Sequence, residues 1–318
     1  MNRPCEALAI CAALCAVAPA AAQQYPQKPI RIVVGVPPGG ATDIVARLVG
    51  QKIGEQVAQP VVIDNRGGAG GNIGAELVAK ATPDGYTLFL ATIGTMTINP
   101  WLYRNMPFDT LRDFAAVTKL GDATLILVAH PSVPAKDLRE LLGLKQTFSY
   151  GTAGTGSTPH LAGELLAQRT GIALTHVPYK GGGQAMGDVV GGQIPLVYTA
   201  IATAQQFVRS GKLKGLGVSS AKRSSSLPEV PTFVESGLEG FVVDSWVGIL
   251  APAKTPGPIV ARLQKDIAAV LGEPETRERY ATLGIEPVAN SPEQFTEQIR
   301  ADLARWEKVV RQAGIRIE

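Results

Sequence analysis

The sequence predicts an α/β fold divided into two domains, and three observations carry that prediction. Short β-branched runs alternate with segments of helical apolar spacing along the chain, the pattern of parallel strands joined by right-handed helical crossovers. Glycine and proline gather between those runs, where they mark turns rather than disorder. Setting aside an N-terminal leader leaves roughly 295 residues, enough for two cores of ordinary size.

The leader is residues 1–22. Met1-Asn2-Arg3, an apolar run from Ala7 to Val17 and the ending Ala18-Pro19-Ala20-Ala21-Ala22 have the three-part layout of a secretory signal peptide. The run is too short to span a bilayer with ease. Leu14 before Cys15 and Ile10 before Cys11 are bulky where lipoprotein processing needs a small residue. Cys5, Cys11 and Cys15, the only cysteines of the chain, depart with the leader, so disulfides, thiolate-held metals and thiol nucleophiles are excluded from the mature protein. The net charge of +3 is dispersed, with no basic run longer than Lys222-Arg223 and no interleaved aromatics, which speaks against a nucleic-acid surface.

The first strand, Ile30 to Val34, runs into Val36-Pro37-Pro38-Gly39-Gly40-Ala41-Thr42-Asp43, and a helix follows to Val57. A strand, a stiffened glycine turn and a helix N-terminus together form an anion-binding arrangement. Pro60 to Arg66 is a second strand, followed by the glycine-rich residues 67–74 and a helix through Lys80. Tyr86 to Ala91 is the third strand, and Ile93 to Arg104 a loop or short helix. From Leu111 an irregular lead is expected to reach a strand over 123–129. The second domain begins here with a short helix, a strand over 147–150, and the mouth Gly151 to His160 ahead of a helix to Arg169. Strands follow over 173–179, 194–200 and 213–219, with Gly181-Gly182-Gly183 opening a helix from Gln184 to Val190. Residues 224–231 read as an exposed crossover. A strand at 248–251, helices over 259–270 and 275–283, and a terminal helix from Pro292 to Gln312 with Phe295, Ile299, Leu303, Trp306 and Val310 on one face are expected to return to the first domain.

An enzyme needs a reactive cluster, and the residues supply little of one. His130, His160 and His176 are the only histidines; none stands in His-Glu-x-x-His, and His160 with Glu164 is a single pair, short of a metal site. Ser157 lacks the nucleophile-elbow frame because Thr155 replaces its glycine. The Gly68 to Gly74 spacing resembles a relaxed dinucleotide fingerprint. Yet it follows the second strand, and Asp64 precedes the loop instead of following it, so close helix-to-sheet packing is the better reading. No Walker lysine follows any glycine loop.

A ligand carboxylate needs several donors to offset its desolvation, and Thr155, Ser157 and Thr158 beside a helix N-terminus supply candidates. His160 reads either as a donor to the ligand or as a cap that packs. Asp43 reads as a cap for its helix, a direct ligand contact or the holder of a bridging water. Tyr179-Lys180 offers a hydroxyl and a charge, and Trp246 is core or cleft wall.

The ordered set Val36 to Asp43 with Ala46-Arg47, Asp64-Asn65-Arg66-Gly67-Gly68-Ala69-Gly70-Gly71, Asp84-Gly85-Tyr86-Thr87-Leu88, Tyr150 through Gly154-Thr155-Gly156-Ser157 to His160-Leu161, Val177-Pro178-Tyr179-Lys180-Gly181-Gly182, Leu227-Pro228-Glu229-Val230-Pro231-Thr232 and Ala251-Pro252-Ala253-Lys254-Thr255-Pro256 resembles the tripartite tricarboxylate transporter receptor family. The resemblance spans essentially the whole mature chain.

It implies an α/β, two-lobe periplasmic binding protein of type II with flytrap closure and mixed sheets flanked by helices. Residues 23–122 plus 221–318 are expected to form the first lobe and 123–220 the second. The implied role is capture of a small organic carboxylate in the periplasm and delivery to membrane permease subunits, by a monomer without cofactor, metal, nucleic-acid partner or catalysis. The competing roles are an exported enzyme or a ligand sensor. By resemblance, Pro38, Gly39, Gly40, Ala41, Thr42 and Asp43 form one pincer on the proximal carboxylate, and Gly154, Thr155, Gly156, Ser157 and His160 the other, with Tyr179 nearby. Thr92, Thr95, Thr199 and Ala200 line the side that selects the rest of the ligand. Three departures stand out: Val36 where an aromatic is common, Gln193-Ile194-Pro195 in place of a Gln-Val-Asp type sequence, and a connection trimmed to Gly143-Leu144-Lys145-Gln146.

Overall fold

A computed structural model describes residues 25–317; the expected leader and its cysteines lie outside them. β1 (Ile30–Val34), α1 (Ala41–Val57), β2 (Val61–Asn65), α2 (Asn72–Ala79), β3 (Thr87–Thr92) and α3 (Asn99–Leu102) follow in order. β1 lies between β2 and β3, parallel to both, with Val34 level with Asn65 and Leu90. Buried on nearly every residue, it shows why a central parallel strand is a continuous apolar run. α1 turns Val45, Ala46, Val49 and Ile53 inward, one helical stripe over the sheet. It ends where Ala58, at φ 53°, closes back on the Gly54 carbonyl, a left-handed cap.

β4 (Phe114–Ala129) corrects the expectation of an irregular lead, because it is one strand of 16 residues. Its first part pairs antiparallel with β9 (Asp244–Pro252) from Phe114 to Thr124, with register shifts at Ala116/Thr118 and Lys119/Gly121. Two bulges break the alternation of inward and outward residues, which hides the strand from a period-two reading. At Gly121 a Cβ would lie 2.7 Å from Ile285 and 2.8 Å from the Glu286 carbonyl, so glycine admits β10 (Ile285–Pro287).

From Leu125 onward, β4 instead pairs with β7 (Leu196–Ala200) and β8 (Lys214–Val218), both antiparallel. β5 (Phe148–Thr152) lies parallel between β7 and β6 (Leu174–Pro178). The strand order is therefore β2-β1-β3-β9-β4-β7-β5-β6, with β4 common to both halves. α4 (Leu138–Gly143), α5 (Thr158–Thr170), α6 (Gly182–Val190) and α7 (Ile201–Arg209) belong to the second half. The trimmed connection after α4 leads directly into β5.

The chain returns beside β4. Ser219 N–H donates to the Leu125 carbonyl and Val243 N–H to that of Ser219, and the Ser219 hydroxyl donates to the Val243 carbonyl at 2.7 Å. The crossover over 224–231 is not simply exposed: Leu227 and Val230 are buried, as is Phe233 just beyond it. Side chains at Gly215 and Gly217 would meet Val230 and Phe233 at 2.7 and 2.8 Å, so those glycines make room for the packing.

α8 (Gly257–Gly272), α9 (Pro274–Thr282) and α10 (Pro292–Ala313) complete the fold. Ser291 and Gln294 form a capping box at the start of α10. The inner face of α10 is Phe295, Ile299, Asp302, Trp306, Val309 and Val310, with Leu303 only partly buried. The helix returns to the first half, and Gln168 of α5 donates to the Val309 carbonyl, so it also reaches the second. Trp246 is core: it is fully buried, edge-on to Phe295, and its indole N–H is 2.8 Å from Asp302.

Candidate ligand-binding site

The register of β4 brings two rows of strand ends together. β3 ends at Thr92, level with Val247 of β9 and through it with Gly121 of β4. β7 runs the opposite way along β4 and ends at Ala200, level with Leu125. Because β1 and β2 run parallel to β3, and β5 and β6 parallel to β7, the C-terminal ends of both parallel sets face one another across Gly121 to Leu125. Four residues of extended chain span about 13 Å. The outer ends of parallel strands are where α/β sheets hold ligands.

The loop after β1 is the first mouth. Pro37 to Ala41 are exposed, and α1 starts at Gly40 with no side-chain cap, so its first-turn N–H groups have no side-chain acceptor. Asp43 is 2% exposed and faces inward. Its carboxylate accepts from Gly39 N–H at 2.9 Å, Arg47 Nε at 3.0 Å and Asn65 Nδ2 at 2.9 Å. Burial works against its charge, but these donors outweigh it and hold the carboxyl below its usual range. Asn65 also donates to the Val36 carbonyl and accepts from Arg47. Asp43 does not cap α1, which has no side-chain cap; its carboxylate instead braces its own loop through Gly39, Arg47 and Asn65.

Beneath this mouth lies the loop between β2 and α2. Gly70 and Gly71 have φ of 65° and 95°, and Cβ atoms there would come within 2.8 Å of Asn99 and 2.5 Å of Thr95. Thr95 Oγ1 and Asn99 Nδ2 both donate to the Gly70 carbonyl. These glycines serve close packing, and Thr95, 3% exposed, directs its hydroxyl at them. Thr92 is half-buried and within 3.1 Å of the Thr95 hydroxyl.

The mouth after β5 is largely self-satisfied. Gly154 N–H donates to Thr152 Oγ1, Gly156 N–H to His160 Nδ1, Ser157 N–H to the Gly154 carbonyl, and His160 N–H to Ser157 Oγ. The Ser157 hydroxyl proton goes to the Gly154 carbonyl at 2.7 Å, so Ser157 acts as the cap of α5. His160 is 4% exposed and stacks on His176 with ring centres 3.7 Å apart. Accepting at Nδ1 puts its proton on Nε2, which faces Glu164 at 3.6 Å. Burial and the neighbouring His160 lower His176 to about 4. Of the residues expected here, Thr155 remains exposed. Gly156 abuts the first half, since a side chain there would meet Leu102 at 2.7 Å and Ile317 at 3.2 Å.

An open donor row lies one strand over. α6 begins after Gly181 without a side-chain cap, and Thr199 Oγ1 is 2.7 Å from where a Gly182 Cβ would sit. Thr199 is 3% exposed. Ala200 caps α7 with backbone alone. The Tyr179 hydroxyl is held by Asp188 at 2.7 Å, and burial with that carboxylate pushes it up to about 12. Gly181 to Gly183, read from sequence only as a helix opening, thus join Thr199; the run of three glycines ahead of a helix was the signal. A cavity of about 600 Å³ between α8 and α10 near Phe114 shares no residue with these mouths and has no convergent row of donors.

Comparison with known proteins gives this geometry its context. The model for "Tripartite tricarboxylate transporter family receptor" matches residues 45–315. Protein BugT of Bordetella pertussis is 35% identical over 306 residues, covering 95% of this chain and 94% of BugT. Two solved structures of Rhodopseudomonas palustris proteins are similar throughout. Rpa4515 with adipate has 35% identity and a TM-score of 0.79, covering 92% of this chain and 99% of its own. MatC with bound malate has 33% identity and a TM-score of 0.75, covering 90% and 100%. The fold is that of the two-lobe periplasmic binding proteins, and the chain belongs to the tripartite tricarboxylate transporter receptor family.

Proposed function

We propose that this protein is a periplasmic receptor that takes a small organic carboxylate between the two rows of strand ends and passes it to the permease subunits of a transporter, without catalysis and as a monomer. The lobes divide at β4 near residues 122–123 and at the return near 220–221. The facing of the strand ends across Gly121 to Leu125 carries the reading, because a ligand there touches both lobes and favours the conformer that closes on it. The N-terminus of α1 would hold one part of the anion, and the N-terminus of α6 with Thr199 and Thr155 another, by backbone N–H groups and hydroxyls. Relatives solved with adipate and malate support a carboxylate cargo. Asp43, the acid of the first mouth, is fully engaged, which favours plain carboxylates over amino acids.

The test is a thermal-shift screen of ligand-stripped protein with mono-, di- and tricarboxylates and with aspartate and glutamate, followed by recovery of the best stabiliser. A rise in Tm with the acid returned unchanged is the expected result. Consumption of the acid, or no stabilisation by any carboxylate, would overturn the reading.

A further inference from the structure

Thr155, exposed in the second mouth, stands between Gly154 and Gly156, whose φ angles are 130° and 77°. Glycine permits that backbone and leaves it free to move, so whatever orients Thr155 must act on the loop from outside. The amides on either side of it are tethered. Gly154 N–H donates to Thr152 Oγ1, which lies 2.7 Å from His176 Nε2. Gly156 N–H donates to His160 Nδ1 at 3.0 Å. Two imidazoles thus stand behind the two peptides that flank Thr155, and His160 holds its peptide directly.

The surroundings of His160 decide what a proton does there. The ring is 4% exposed and lies on that of His176, with 3.7 Å between centres and 16° between planes. With Nδ1 accepting, Nε2 carries the proton and faces Glu164 Oε1 at 3.6 Å. Tyr150 closes the cluster from β5: its hydroxyl is 3.0 Å from Glu164 Oε1 and 3.1 Å from the His160 carbonyl, and its ring centre is 5.3 Å from that of His176. What the first half brings against Gly156 is apolar, Leu102 and Ile317. A second ring proton on His160 can enter only at Nδ1, where it would point at the Gly156 N–H. Both groups are then donors, and the tether is lost. Glu164, held below the usual carboxylate range by His160 against its burial, is the anion that meets the new charge. His176 resists a proton of its own, since burial and the neighbouring His160 lower it to about 4.

We propose that His160 is a positioning residue for ligand capture: by accepting from Gly156 at Nδ1 it fixes the peptide that presents Thr155, and uptake of a proton at that nitrogen frees the loop and loosens its grip on the carboxylate. This rests on the carboxylate-receptor reading above. The sign follows from linkage. The ordered mouth and a protonated Nδ1 exclude each other, so the mouth binds best with His160 neutral. Affinity is therefore complete on the alkaline side of the His160 titration and is lost as pH falls through it.

Calorimetry with malate and adipate from about pH 8 to 5 tests this, because histidine is the side chain that ordinarily changes charge in that range. The Kd of the wild type is expected to rise about tenfold as pH falls, the effect of one lost hydrogen bond. His160→Asn places an amide oxygen where Nδ1 stands and does not titrate. It is expected to bind more tightly than His160→Leu at pH 8 and to show only the pH dependence of the acid itself. A wild-type Kd that decreases as pH falls, a wild-type profile parallel to that of His160→Asn, or equal affinities of the two variants at pH 8 would overturn the role. Nitrogen-15 spectra of the wild type without ligand give a readout that needs no variant: the Gly156 amide is expected to shift with the His160 ring at one midpoint, and an amide that stays fixed while the ring titrates refutes the tether. These spectra also separate the two claims. If no carboxylate of the screen binds while Gly156 and His160 titrate together, the receptor reading falls and the tether stands. If carboxylates bind and the amide stays fixed, the tether alone falls.

Discussion

Replacing Asp43 with alanine should loosen the first mouth without removing any atom proposed to touch the ligand. The carboxylate accepts from Gly39 N–H, Arg47 and Asn65, so Asp43→Ala leaves two neutral donors and a guanidinium without an acceptor. Arg47 is half exposed and water takes it over at little cost. Leaving the Gly39 and Asn65 donors partly unsatisfied costs about 1–3 kcal/mol, and the lost acid in the first turn of α1 a few tenths more. For a chain of this size that corresponds to a fall in Tm of about 2–6 °C. Binding must then order Gly39 afresh. Taking about 1–2 kcal/mol for that ordering, the Kd for the best carboxylate of the screen should rise about 5- to 30-fold.

Asp43→Asn should fall between the two, because its carbonyl still accepts from Gly39 while its NH2 group meets the Asn65 donor. The carboxyl is held below its usual range, so its contribution is complete above about pH 3.9 and is lost only as pH falls through the lower folded value. The ratio of wild-type to variant affinity should thus be flat from pH 5 to 8. Calorimetry is the assay. Unchanged affinity in Asp43→Ala would refute the bracing argument, and a selective loss of amino acids over plain acids would show that Asp43 meets the ligand instead.

Gly182→Ala places a Cβ 2.7 Å from Thr199 Oγ1 and should weaken carboxylate binding about tenfold, a cost near 1.4 kcal/mol; Gly183→Ala, with nothing within 4 Å, serves as its control, and equal affinities would remove α6 from the site. Ser157→Ala removes the cap of α5 and should lower stability by about 1 kcal/mol, with a smaller effect on affinity than Gly182→Ala, since its proton is already committed to Gly154; the reverse order in calorimetry would mean that the hydroxyl turns to the ligand. His176 is lowered to about 4 and ionises near 6.5 when unfolded, so its contribution is complete above pH 6.5 and declines as pH falls from there toward 4. After discounting for partial exposure this amounts to about 1–2 kcal/mol. Urea midpoints of His176→Gln that track the wild type across that window would count against it.

The first mouth was legible as residues because everything that shapes it is adjacent in the chain: β1, the Pro-Pro-Gly-Gly turn and the start of α1. The brace on it was not, since Asn65 lies 22 residues from Asp43 and no spacing rule connects them. The second mouth shows the opposite case. Thr155, Ser157 and His160 have the composition of a donor loop, yet folding gives the Ser157 proton to Gly154 and the Gly156 N–H to His160. Local hydrogen bonds take up hydroxyls and amides that composition alone counts as free.

Taken alone, the sequence determined the alternation of strands and helices, the positions of the glycine turns and the family, because apolar period, turn chemistry and motif order are properties of neighbouring residues. Tertiary structure decided what no neighbour specifies. β4 was hidden because its bulges are tolerated only where β9, β7 and β8 pair with it. The confrontation of the two rows of strand ends depends on that shared strand and its antiparallel partners. Asp302, on the inner face of α10, finds its reason only in Trp246 and Arg305. Long-range pairing sets which side chains share a dielectric and a set of donors, and a local pattern carries no record of that choice.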